Sequence, residues 1–144
     1  MQTHFNNFTT WVPDGWLDQS TITFCMPVSQ NAQAPLSAGK AVAHSAANLV
    51  LTWESEENRQ LLDYGSARLN KIKTALPGFH LVEEGICNEK ETSIFFAEYH
   101  ISMSPALTQL LQIKVVDNYF VCLTGTAIQN NYINVKEHFK RTMQ

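Results

Sequence analysis

Ala106-Leu107-Thr108-Gln109-Leu110-Leu111-Gln112-Ile113-Lys114-Val115-Val116, then Asp117-Asn118, then Tyr119-Phe120-Val121-Cys122-Leu123-Thr124-Gly125-Thr126-Ala127, is the stretch that decides the fold. Asp and Asn suit a tight turn, and β-branched, aromatic and aliphatic residues fill both flanks. The pattern predicts a hairpin of strands 106–116 and 119–127. Side chains alternate sides along a strand, so one face carries Leu107, Gln109, Leu111, Ile113 and Val115, continued by Phe120, Cys122, Thr124 and Thr126. The other carries Leu110, Gln112, Lys114 and Val116, continued by Tyr119, Val121 and Leu123. Both faces are largely apolar, and a sheet apolar on both sides needs two covers.

The cover is in short supply. Upstream, Leu62, Gly65, Leu69, Ile72 and Leu76 recur at three- and four-residue spacing, which predicts one helix over 56–76 stopped by Pro77-Gly78. Ser55 offers an N-cap, with Glu56 and Glu57 in the first turn. Gly65 costs such a helix about 1 kcal/mol against Ala, so it marks a close approach of another element. A second, shorter helix is predicted at 131–142, with Ile133, Val135, His138, Phe139 and Met143 as its docking residues. With so few helices, one sheet face is expected to stay accessible and to bind something apolar.

Further strands are predicted at 5–12, 20–26, 48–54, 79–87 and 92–101. Pro13-Asp14-Gly15-Trp16 is a turn signal, and 27–46 carries no periodicity. The order of strands, helix, meander and helix reads as α+β. It predicts a mainly antiparallel twisted β-sheet with the helices concentrated on one face, in a single domain spanning 1–144.

Composition narrows the function classes. The 144 residues are 44% hydrophobic and 16% charged, with formal charge −3 and no long run of like charges. Neither a nucleic-acid stripe nor a polybasic membrane patch is present, and no apolar run approaches ~20 residues, so no direct membrane insertion is expected. The start, Met1-Gln2-Thr3-His4-Phe5, is unlike a secretory signal. Cys25, Cys87 and Cys122 stand in strands without Cys-x-x-Cys spacing and read as small hydrophobes of a reducing cytosol. The five histidines lack metal-ligand spacing, the glycines form no phosphate loop, and the expected catalytic, metal and cofactor sites are none. Glu83 and Glu98 share a face but read as solvated charges, and Trp11, Trp16 and Trp53 as corner packing.

A primary amide inside an aliphatic stripe is a different matter, because burying it unpaired costs on the order of 1–3 kcal/mol. Gln109 is therefore expected to be either satisfied locally or a handle for an apolar helical ligand. The groove floor expected around it comprises Ile22 and Phe24 with Leu107, Gln109, Leu111, Ile113 and Phe120. The opposite face, with Leu110, Gln112, Tyr119, Val121 and Leu123, is the alternative. A small lipid or cofactor carrier could use the same apolar face.

Three motifs resemble a known family. Phe8-Thr9-Thr10-Trp11-Val12-Pro13-Asp14-Gly15-Trp16-Leu17-Asp18-Gln19-Ser20 is similar to the opening of DcrB-like domains. Leu61 to Phe79 resembles their helix ending in Leu-Pro-Gly-Phe, and Gln109 with Leu123-Thr124-Gly125-Thr126-Ala127 resembles their hairpin. The likeness is strongest to the effector-associated (Eag) chaperones of bacterial type VI secretion. It implies a PsbP-like α+β fold, no enzymatic activity, no cofactor, a cytoplasmic location and a homodimer. It further implies that the chain shelters hydrophobic N-terminal segments of a PAAR-containing effector until loading on the VgrG spike. The 27–46 segment departs from that pattern in being Ala-rich and less strand-like.

Overall fold

A computed structural model of the chain describes residues 2–5, 8–11, 21–25 and 47–143. The expected segment 27–46 lies outside them. The final hairpin forms as the sequence dictates: β7 (Leu107–Val116) and β8 (Tyr119–Ile128) pair with Val116 opposite Tyr119. Between them Asp117 and Asn118 both take positive φ, at 47° and 64°, the backbone of a two-residue turn whose twist matches its strands. β5 (Phe79–Glu89) and β6 (Thr92–Ile101) repeat the device at Lys90-Glu91.

β3 (Thr21–Cys25) and β4 (Ala47–Ser55) complete a six-stranded antiparallel sheet in the order β3-β4-β8-β7-β6-β5. The segment expected as one strand over 5–12 is instead a separate ribbon, β1 (Gln2–Phe5) paired with β2 (Phe8–Trp11). Consecutive antiparallel ladders leave β4 and β5 parallel, four strand gaps apart, which is roughly 19 Å at ~4.8 Å per gap. The connection must cross the sheet, and α1 (Leu61–Ala75), with 15 residues, is about 22 Å long at ~1.5 Å per residue. Its length fits the crossing, so it lies over one face.

Two details of α1 depart from expectation. Ser55 does not cap it, because β4 runs on through Ser55 opposite Tyr119, and the Glu56 amide donates to the Asn118 carbonyl at 2.9 Å. Residues 56–60 instead turn, with Glu57 and Asn58 at positive φ, and the N-cap Gln60 makes no side-chain cap bond. At the other end Pro77-Gly78 stops the helix as expected, Gly78 sitting at φ 68°.

Gly65 is the close approach that its spacing announced. A Cβ there would meet the Phe95 ring at 2.5 Å. Around this contact lies the principal core: Tyr64 and Leu69 of α1 against Phe95, Ala97, Tyr99, Leu111, Ile113, Phe120 and Cys122. Tyr64 stacks on Phe120 with ring centroids 4.0 Å apart.

α2 (Gln129–Thr142) overturns the expectation that the helices share a face. It packs on the opposite side, with Tyr132, Val135 and Phe139 against Ala47, Leu110 and Ala127, and Met143 against Ile94 and Leu123. Of the five docking residues expected, Val135, Phe139 and Met143 are buried, whereas Ile133 and His138 face outward. Tyr132 takes their place.

Candidate functional site

The ladders set one row of residues across the whole sheet: Ile22, Leu51, Leu123, Gln112, Phe96 and Gly85, each opposite the next. Parity puts this row on the α2 face. Gln112 is the polar member in the middle of it. It is 6% exposed, and its Oε1 has no hydrogen-bond partner among the described residues. A buried acceptor left unpaired costs about 1–3 kcal/mol, so it is a feature that a ligand can relieve.

A cavity of about 250 Å³ opens beside Gln112, between α2 and strands β5 to β7. Ile94, Phe96, Leu110 and Cys87 give it apolar walls, and Glu83, Glu98, Lys136 and Lys140 stand round it. Glu98 is buried, and its Oε2 accepts from Lys136 Nζ at 2.8 Å. A buried carboxylate survives only when paired in this way. The expectation that both carboxylates are solvated therefore holds for Glu83 and fails for Glu98. Tyr132 also lies buried here, its hydroxyl near the Glu98 carboxylate without a well-formed hydrogen bond to it. Burial first, and the Glu98 carboxylate second, push its pKa up.

The α1 face holds the other polar cluster. Tyr64 Oη donates to Glu54 Oε2 at 2.7 Å, and Arg68 reaches both Tyr64 Oη and Thr52 Oγ1. The Tyr64 hydrogen bond, helped by Arg59, holds the Glu54 carboxyl below its ordinary range. Burial raises the pKa of Tyr64, raises the Cys122 thiol, and pushes Tyr99 up to about 12. Such shifts keep phenols and thiol protonated, which disarms them as nucleophiles or bases. Among the described residues no group of three or more His, Cys, Asp or Glu side chains is placed to hold a metal ion.

The expected groove floor is divided between the two faces. Leu111, Ile113 and Phe120 are 0% exposed beneath α1, with Leu107 half-buried at the edge of the same core. They form core and offer no open floor. Gln109 on that face is half-buried and donates from Nε2 to Thr126 Oγ1 at 2.9 Å, so its amide nitrogen is satisfied locally. Ile22 instead pairs with Leu51 on the α2 face, and Phe24 holds the register position opposite Leu49. The amide that lacks a partner is Gln112, three residues along the same strand. Alternation identified both amides. The missing signal was which face α1 would seal.

The second face is also less free than expected, since α2 lies on part of it. Beyond the helix, Val116 and Tyr119 remain exposed and Trp53 and Val121 half-buried, so the apolar surface extends past its cover.

No protein-family model and no curated protein matches this chain. Solved structures do. The chain is similar to PA94, a protein of unknown function from Pseudomonas aeruginosa, with a TM-score of 0.74 at 20% identity, covering 100% of this chain and 93% of that one. It is similar to cyanobacterial PsbP (CyanoP) from Synechocystis sp. PCC 6803, with a TM-score of 0.55 at 12% identity over 97% and 86% of the two chains. LpqN, involved in cell envelope biogenesis of Mycobacterium tuberculosis, gives 0.52 at 10% identity over 83% and 78%. At these identities the likeness carries the fold, which is the PsbP-like α+β architecture of an open six-stranded antiparallel sheet with two helices. Among the described residues no helix is long and apolar enough to cross a membrane.

Proposed function

We propose that this chain is a binding protein rather than an enzyme, an effector-associated chaperone of the Eag kind. It shelters apolar helical segments near the N-terminus of a PAAR-containing type VI effector in the cytoplasm, before the effector joins the VgrG spike. The observation that carries the reading is the unpaired Gln112 Oε1 in the middle of an otherwise apolar row. Dispersion and burial hold an apolar helix without fixing its register, whereas one buried acceptor selects the position that presents a donor. The resemblance of the opening, helix and hairpin motifs supports the same reading. The groove residues proposed are the half-buried Ile22, Leu51 and Phe96, with the covered Leu123 and Gln112 between them in the row, in place of the Gln109 set.

The test is co-purification from the native cell, read by mass spectrometry, with Ile22→Asp and Gln112→Leu beside the wild type. A partner with apolar N-terminal segments that is captured by the wild type and lost by both folded variants fits the reading. Equal capture by all three proteins sinks it.

A homodimer belongs to the proposal, because Val116 and Tyr119 extend the apolar surface beyond the self-contained core. Light scattering that gives only a 16.3 kDa species at micromolar concentration would contradict it.

The cavity of about 250 Å³ favours a second reading, a carrier for a small apolar molecule. Native mass spectrometry of protein from its own cell separates the two, since a carrier retains a ligand of a few hundred daltons and a chaperone retains a polypeptide.

A further inference from the structure

α2 lies on the proposed binding face in the manner of a bound helix. Tyr132, Val135 and Phe139, spaced at three and four residues, point into the sheet, while Ile133 on the outward side is 75% exposed. It covers Leu110, Ala127 and part of the Leu123 surface, and it borders the cavity that Gln112 lines. We infer that α2 is a built-in stand-in for the client, an autoinhibitory cover that a bound apolar helix displaces. The inference rests on the reading of this face as a helix-binding surface.

The attachment of α2 is suited to exchange. Its sequence, Gln129-Asn130-Asn131-Tyr132-Ile133-Asn134-Val135-Lys136-Glu137-His138-Phe139-Lys140-Arg141-Thr142, is weak for a helix, with three Asn, no side-chain N-cap bond and no acid in the first turn. An isolated helix of this length is marginal in water, so packing holds it in place. Two polar tethers pin it to the sheet. Lys136 Nζ reaches Glu98 Oε2 at 2.8 Å, and Lys114 Nζ reaches the Met143 carbonyl at 2.9 Å. The cover is also imperfect, for Gln112 Oε1 stays unpaired beside it. A helix that presents a donor to Gln112 satisfies what α2 leaves open. It therefore has a differential affinity for the uncovered state, which is what shifts such an equilibrium.

The experiment uses the full chain and a fluorescent 20-residue Leu/Ala/Ser peptide flanked by lysines as the probe. Hydrogen exchange is followed with and without peptide, and peptide affinity is measured for the wild type and for Lys136→Met, which removes one tether. The expected result is loss of protection confined to 129–142 on peptide addition, with β7 and β8 unchanged. Lys136→Met should bind more tightly, by about tenfold or more, because breaking a buried pair weakens the cover and the competent fraction rises. Peptide binding with α2 still protected overturns the cover and leaves the helix-binding reading standing. No binding by either protein, with both folded by circular dichroism, overturns both.

Discussion

Phe139 rests on Gly125 so closely that a Cβ at that glycine would lie 2.4 Å from the ring. The contact is the notch by which α2 seats on β8. It mirrors Gly65 under Phe95 on the opposite face, where the glycine is on the helix and the ring on the strand. Both sides of the sheet use a missing side chain to let a helix come close.

These two glycines predict different outcomes. Gly65→Ala drives a methyl into the Phe95 ring within the principal core and should cost about 1–3 kcal/mol by overpacking. The loss should appear as a lower urea midpoint across the whole chain. Gly125→Ala should instead lift α2, raising amide exchange over 129–142 while β5 to β7 keep their protection.

Aspartate scanning separates floor from core. Leu111→Asp places an unpaired charge where exposure is 0% and should cost on the order of 3–5 kcal/mol, enough to unfold a domain of ordinary stability. Ile22→Asp stands half-buried on the outermost strand β3 and should leave the far-ultraviolet circular dichroism unchanged. A folded Leu111→Asp protein would mean that the α1 face is open.

Gln112→Leu keeps the volume and removes the unpaired acceptor. Stability in urea should hold steady or rise by up to about 1–3 kcal/mol, because the desolvation penalty disappears. A fall of more than about 1 kcal/mol would show that the amide already has a partner.

Acid stability depends on Glu54. Its folded pKa is depressed below its ordinary value of 4.5, chiefly by the Tyr64 hydrogen bond. A depressed acid contributes stability that is present above its unfolded pKa and lost as pH falls through the folded one. Tyr64→Phe removes that bond. The difference in Tm between the wild type and Tyr64→Phe should therefore be largest near neutrality and shrink as pH drops below 4.5. A difference that stays constant down to the acid limit would assign the effect of the Tyr64 hydroxyl to its contacts with Cys122 and Arg68.

Local chemistry made much of the fold legible. Asp117-Asn118 and Pro77-Gly78 are punctuation that any chain obeys, and strict alternation assigned each residue of 107–128 to one of two faces before any contact was known. Gly65 announced a close approach because a mid-helix glycine costs stability against Ala and a neighbouring element that needs the space offsets it. Ser55 misled for a non-local reason: a cap signal was present, but the distant Tyr119 and Asn118 offered ladder bonds that kept the backbone extended.

Which face α1 seals was beyond the sequence, because the two faces of the final hairpin are nearly equal in apolar character. Strand order decided it. Once β4 and β5 stand four gaps apart and parallel, α1 must cross the sheet, and such crossovers have one preferred hand and therefore one side. That choice sealed Leu111, Ile113 and Phe120, left α2 the opposite face, and put Ile22 in line with Gln112 rather than Gln109. Residue types and alternation set what each face is made of. Only long-range pairing, which links residues far apart in the chain, set which of them the helices cover.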